Sequence, residues 1–400
     1  MTAATEFEDR DHAMAHLAHL IATASGAPID TPRLALGPAT EALALAGELL
    51  GRDDGDDPDE ARRAYLEVQR ANALRLVGRE HDEEAQLLFE AVLARSTDDQ
   101  QNAAALFDLG LFHKSRGRFA EAFDAFARAR DAGFEGKNLF FNLAAAATAL
   151  GRGEAARDAW AALGIDLEVN AAGMPYGAVP GPVEVRVPTR GSGHGVAPVV
   201  PDEALSFEVV SVAPISPCHG VVQTPTLRDA PVDYGDVILW DGTPVAMKEV
   251  DGRAVPRFPL LEILRRGDER RFRFVALEQV AGDLDGLGAA LPDGAELFAL
   301  EARVEVVCPR CAAGDAFVKH EHGTPEPHRI IYGKLIAAPD LGLPSLSDAL
   351  TEAMRGAGRV SLAVPELYDA LGDAKRAGQE HQAFRGIEQV ALRKGLAGTH

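Results

Sequence analysis

Cysteine is scarce in this chain of 400 residues, which holds three, and aromatic residues make up only 6% of it. Three is an odd number, and Cys308 and Cys311 stand only two residues apart. Both facts argue against a disulfide framework of the secreted type, and a reducing, cytoplasmic setting is expected. Positive charge is also in short supply: 40 Lys and Arg face 61 Asp and Glu, a formal net charge of −21. The acidic residues are dispersed rather than gathered into a tail. Nucleic acid and anionic membranes select basic patches, so neither is expected as a partner. No run approaches the roughly 18 apolar residues of a membrane helix. Met1–Arg10 carries three acidic residues with no long apolar run behind it, so neither a signal nor a transit peptide is expected.

The length suffices for two or three cores, and the patterning changes along the chain. Over residues 6–24, Phe7, Met14, Leu17, Leu20 and Ile21 have helical spacing, and Gly26-Ala27-Pro28 ends the segment. Residues 1–35 are therefore expected to form a capping helix. Residues 36–168 are rich in Ala and Leu, broken by glycines at the ends of helical patterns. Residues 169–203 read as a linker, because twelve of the 32 residues from Asn170 to Pro201 are Gly or Pro. That stretch is interrupted only by the alternating Val183-Glu184-Val185-Arg186-Val187. Gly191, Gly193 and Gly195 lack the preceding strand and following helix that a phosphate loop requires.

From 204 to 344 the period drops to two, as in Leu205-Ser206-Phe207-Glu208-Val209 and Phe272-Arg273-Phe274, which predicts a β-rich domain. Asp241-Gly242, Asp251-Gly252 and Asp293-Gly294 supply its turns. Tyr234-Gly235 and Tyr332-Gly333 open similar segments, as an internal duplication would. Residues 345–400 return to helical patterns at 347–354, 365–375 and 378–394. The expected fold is thus a multidomain α + β chain with helices first, a β-rich domain second and helices at the end.

Within the helical part, Leu106, Leu109, Gly110, Gly117, Phe119, Ala122, Phe126 and Ala129 recur 34 residues later as Phe140, Leu143, Ala144, Gly151, Gly153, Ala156, Trp160 and Leu163. Small residues at Gly110, Ala144, Ala122 and Ala156 allow close helix approach, while Phe126 and Trp160 fill the space between units. Gly78, Ala85 and Phe89 mark a third, degenerate unit with seven residues where the others have five. This pattern resembles tetratricopeptide repeats, over roughly residues 36–165. The resemblance implies a helical solenoid whose concave groove is lined by the first helix of each unit. In this chain that register selects Phe107, Leu111, Lys114, Asn138, Phe141 and Ala145 as partner-binding residues. Family members that clamp a C-terminal carboxylate use Lys and Asn where this chain has Phe107, Leu111, Phe141 and Ala145. The resemblance therefore implies an apolar or amphipathic helical peptide as cargo.

In the β-rich region, Cys308-Pro309-Arg310-Cys311 has the spacing with which two thiolates bite one tetrahedral Zn2+. His320 and His322, two apart, would face one side of a strand, and Cys218 and His219 are further candidate ligands. The set Cys308, Cys311, His320, His322, Cys218 and His219 is therefore a candidate structural zinc site. Inert thiols and a redox dithiol are the alternatives, since no second Cys-x-x-Cys pair is present. No catalytic motif stands out. The functional expectation is a protein-binding adaptor or scaffold, with a metal- or thiol-dependent enzyme as the alternative and a complex subunit as a third reading.

Overall fold

The computed structural model describes residues 10–26, 33–52, 59–96, 99–189, 207–227, 230–250, 252–278, 280–307, 326–357 and 360–395. Helices occupy the N-terminal part and sheets the C-terminal part, so the mixed α + β expectation holds. The chain forms two compact units. The first comprises residues 1–223 and 236–265, and the second residues 224–235 and 266–400. The expected β region 204–344 is therefore divided between two units, and its first part belongs with the helices.

The helices of the first unit are α1 (Arg10–Gly26), α2 (Arg33–Arg52), α3 (Glu60–Val77), α4 (Asp82–Arg95), α5 (Asp99–Lys114), α6 (Phe119–Asp131), α7 (Lys137–Ala149) and α8 (Gly153–Ala162). Each packs on the next in sequence. Leu17, Leu20 and Ile21 of α1 are buried against Leu45 and Leu49 of α2, as the spacing predicts.

The 34-residue period is visible in the backbone. Gly117 and Gly151 both end a first helix at positive φ, +73° and +67°, a conformation that costs glycine nothing. The amides of Arg118 and Arg152 then bond back to the carbonyls of His113 and Ala147. Gly110 is small for the stated reason: a Cβ there would stand 2.4 Å from the Phe126 ring. In the degenerate unit, Gly78 is extended and a 3-10 turn, Arg79–His81, takes up the two extra residues. Gly153 stands where the repeat has Phe119 because the turn of a two-stranded hairpin lies on it. A Cβ at Gly153 would meet the Gly173 carbonyl oxygen at 2.3 Å. That hairpin joins β1 (Glu168–Val169) and β2 (Pro175–Tyr176).

The rest of the first unit is a sheet of β3 (Val183–Pro188), β4 (Phe207–Ser216), β5 (His219–Val222), β6 (Val237–Trp240), β7 (Ala246–Val250) and β8 (Arg253–Arg265), in the order β3-β4-β5-β6-β8-β7. β3 also pairs in parallel with β8, which closes β3, β4, β5, β6 and β8 into a ring. Ring closure removes exposed edges. It also draws β3 out of the stretch read as linker. Val185, Val187, Val210, Val212, Val222 and Ile238 are buried on these strands. β7 and β8 form the expected hairpin, with Val250 opposite Arg253 and Gly252 at φ +75°. One hydrophobic cluster joins ring and helices, since Cys218, Leu239 and Leu261 share it with Phe126, Ala145 and Trp160.

The second unit contains β9 (Arg270–Glu278), α9 (Asp283–Ala289), β10 (Ala295–Val307), β11 (Glu326–Ala337), α10 (Leu343–Gly356), β12 (Val360–Ala363), α11 (Pro365–Leu371) and α12 (Ala374–Gly395). Its strands pair antiparallel in the order β10-β11-β9-β12. The near-continuous apolar run of β9 is covered on both faces. Phe272, Phe274 and Ala276 pack with Leu346 and Leu350 of α10 and Leu367 of α11. Val275 and Leu277 pack with Ile387 of α12. The C-terminal helices thus cover this sheet. Residues 224–235 reach the same unit by Asp233, paired with Lys334, and by Tyr234, whose ring lies 5.3 Å from that of Phe298. The two Tyr-Gly segments are not equivalent: Gly235 occupies a turn at φ +81°, whereas Gly333 sits within β11.

Candidate functional site

The first unit holds a cavity of about 460 Å³ whose walls come from α1, α2, α3, α5, α7 and the loop between β6 and β7. Five of the six residues selected from the sequence as partner-binding reach it: Phe107, Leu111 and Lys114 from α5, Asn138 and Phe141 from α7. The sixth does not. Ala145 is fully buried within the cluster that contains Cys218, Leu239 and Leu261, because the strand ring covers the part of α7 that the groove register leaves open.

The aromatic walls are held by other rings. Phe107 stacks on Phe134 at 4.4 Å between centroids, and Phe141 meets Trp160 edge-on at 5.2 Å. Such pairs fix the ring planes in addition to burying area. On the other side, the loop Asp241–Val245 forms a wall supplied by the chain itself. Gly242 lies so close to Phe141 that an added Cβ would stand 2.3 Å from its ring. The amides of Asp241 and Val245 donate to the carbonyls of Pro259 and Arg257 in β8, which ties both ends of the loop to the ring.

At the base of the loop, Lys114 Nζ donates to Asp241 Oδ2 at 2.7 Å and to Asn142 Oδ1 at 2.6 Å. Both charged side chains are below 10% exposed. Burial disfavours the Asp241 carboxylate, but the Lys114 ammonium and hydrogen bonds from Lys114 and Thr243 outweigh it. The group is held below the ordinary carboxylate value. Sequence reasoning found Lys114 through the repeat register; it missed Asp241, 127 residues away.

Two further cations line the cavity. Arg116 is committed: its Nε donates to both Asp82 oxygens at 2.9 Å, one terminal nitrogen to the Arg75 carbonyl and the other to Ser115 Oγ. Arg75 donates from Nε to Asn72 Oδ1 at 2.8 Å, and Asn72 in turn donates to Asp108 Oδ2 at 2.7 Å. Burial lowers the Arg75 value, against the pull of Asp108 and with the help of Arg116, and burial raises that of Asp108, against the pull of Arg75 and the Asn72 hydrogen bond.

Of the candidate zinc ligands, Cys308, Cys311, His320 and His322 lie outside the described residues. Cys218 and His219 belong to the first unit and are both fully buried. Cys218 Sγ stands 3.8 Å from Thr148 Oγ1 and 3.7 Å from Ser216 Oγ. Burial pushes its thiol up to about 12, with Asp241 adding to the rise and the two hydroxyls opposing it. His219 Nδ1 meets Ser216 Oγ at 2.5 Å, its Nε2 has no partner among the described residues, and burial lowers the imidazole to about 4. Ser216, which ties these two side chains together, carried no signal in the sequence. Among the described residues, no group of three or more His, Cys, Asp or Glu side chains is placed to hold a metal. Nor is any described helix long and apolar enough to cross a membrane.

No protein-family model matches the chain, and no curated protein matches its sequence.

Proposed function

We propose that this chain is a protein-binding adaptor or scaffold, built on a tetratricopeptide-like solenoid over residues 36–168, that seats a short apolar segment of its partner in the cavity. The observation carrying this reading is the convergence of Phe107 and Leu111 with Phe141, from first helices of successive 34-residue units, on one cavity of about 460 Å³. The repeated turn geometry at Gly117 and Gly151 supports the solenoid. Apolar pockets with a few fixed polar groups are the usual form of a binding site. Cys218, a buried free thiol, fits a reducing, cytoplasmic setting.

The cavity's size narrows the cargo. A helix about 10 Å across fills 460 Å³ in about 6 Å, roughly one turn. With the loop Asp241–Val245 tied to β8, the cavity seats about one turn of the cargo at a time. The apolar or amphipathic helical peptide that the groove implies enters it by one turn of its apolar face.

The test is selection of peptides from a random display library against the intact protein, followed by titration of the enriched peptides. Leu111→Glu is expected to weaken them at least about ten-fold, by placing a carboxylate among the aromatic walls. Leu87→Glu, at an exposed position of α4, is expected to leave them unchanged. Equal affinity for wild type and Leu111→Glu would remove the cavity from consideration.

A further inference from the structure

We propose that the cavity recognises a carboxylate next to the apolar group it seats, and that Arg75 is its receptor; this rests on the binding role given to the cavity above. The other cations on the walls are already engaged. The Lys114 ammonium is spent on Asp241 and Asn142. Arg116 uses Nε and both terminal nitrogens on Asp82, Ser115 and the Arg75 carbonyl. Arg75 differs. Its Nε is fixed by Asn72, which is itself fixed by Asp108, and neither of its terminal nitrogens meets an acceptor among the described residues. Those two nitrogens are not among the side-chain atoms sealed from solvent, and the residue lines the cavity.

An arginine held by its Nε edge leaves its terminal N–H groups as a planar fork, the geometry that matches the two oxygens of a carboxylate. In the empty cavity water meets these donors, and a ligand carboxylate replaces it with charge-assisted hydrogen bonds. One guanidinium with open terminal donors among the described lining residues, its charge already shared with Asp108, matches a monoanion at most. A phosphate dianion would bring a second charge with no second free cation among those residues to meet it, into a chain already at −21. An amine is disfavoured because Asp241, the carboxylate on the wall, is already occupied by Lys114. Arg75 lies on α3, outside the two units whose positions disfavour a Lys/Asn clamp. The recognised element is therefore an apolar side chain with a carboxylate within a residue of it, from an acidic residue or a chain end.

The experiment compares two probes with the same apolar body on the full chain: N-acetyl-leucyl-phenylalanine and its C-terminal amide, titrated by isothermal calorimetry or ligand-observed NMR. The expected result is an acid about ten-fold tighter than the amide on the wild type. Arg75→Gln should bring the two within about two-fold of each other by weakening the acid alone. Acid and amide binding the wild type equally, with both lost in Leu111→Glu, would overturn the carboxylate receptor and leave the apolar site standing. An undiminished ten-fold preference in Arg75→Gln would likewise overturn Arg75 as the receptor. Binding of neither probe, or binding indifferent to Leu111→Glu, would overturn the apolar site and the receptor together. The wild-type comparison needs no variant, so the proposal is testable even if Arg75→Gln fails to fold.

Discussion

Replacing Lys114 with methionine tests how the loop that walls the cavity is held. At an effective dielectric constant of about 20, charges 2.7 Å apart attract by about 6 kcal/mol. Withdrawing the two ions from water costs several kcal/mol each, so the pair's net contribution is small. The large effect lies in breaking it. Lys114→Met leaves the Asp241 carboxylate buried without its counter-ion and is expected to cost about 3–5 kcal/mol. Adding Asp241→Asn removes the stranded charge while keeping an acceptor for the Thr243 amide, 3.0 Å away, and should recover most of the loss. The assay is urea unfolding followed by tryptophan fluorescence. Trp160 and Trp240 are the chain's two tryptophans and both lie in the first unit, so the signal reports that unit alone. The pH dependence has a definite sign. The folded Asp241 value is depressed, so its stabilising contribution is present above the ordinary carboxylate range and lost as pH falls through the folded value. The gap between wild type and Lys114→Met should therefore narrow in acid. A loss below about 1 kcal/mol at pH 7, or a double variant as unstable as the two single changes added together, would refute the reasoning.

His113 is 6% exposed, and burial together with the Arg118 cation pushes it down to about 4, against Glu121 and Glu90. The unfolded chain takes up this proton first, so stability should fall by at most about 3 kcal/mol as pH drops from 6.5 to 4, and His113→Phe should remove that share of the slope. Gly242→Val should destabilise the first unit by about 1–3 kcal/mol, read as a lower urea midpoint and a shifted Trp240 emission, because the added atoms meet the Phe141 ring. Elemental analysis of the purified protein is expected to give one zinc per chain, lost in Cys308→Ser/Cys311→Ser; no metal, with two thiols reacting in the folded chain and the buried Cys218 only on unfolding, would end the zinc reading.

Local and periodic features of this fold were legible in the sequence. Gly110 announces itself because the Phe126 ring leaves no room for a side chain there, and Asp251-Gly252 because the β7–β8 turn needs a residue at positive φ. Pairings between distant segments left no such mark. The parallel contact of β3 with β8 joins Val185 to Phe258, and nothing in a Gly/Pro-rich stretch signals a partner so far along the chain. The cavity shows the same division. Repeat register found Phe107, Leu111 and Phe141, since it depends on helical spacing alone. It misplaced Ala145 and missed Asp241, since those depend on the ring of strands folding back over α7.

The excursion of residues 224–235 bears on how the molecule is made. Neither unit is a continuous length of chain: the backbone crosses between them after Gln223, Gly235 and Arg265. During synthesis, Asp233 and Tyr234 emerge well before Phe298 and Lys334, the residues they pair with. A ribosome that has just released residue 265 has delivered every strand of the ring and a twelve-residue strap with no seat. Truncation at that natural-looking boundary therefore yields a first unit carrying an orphaned loop between β5 and β6, and the complementary fragment lacks one of its own pieces. The second unit thus depends on the first having been translated in the same chain.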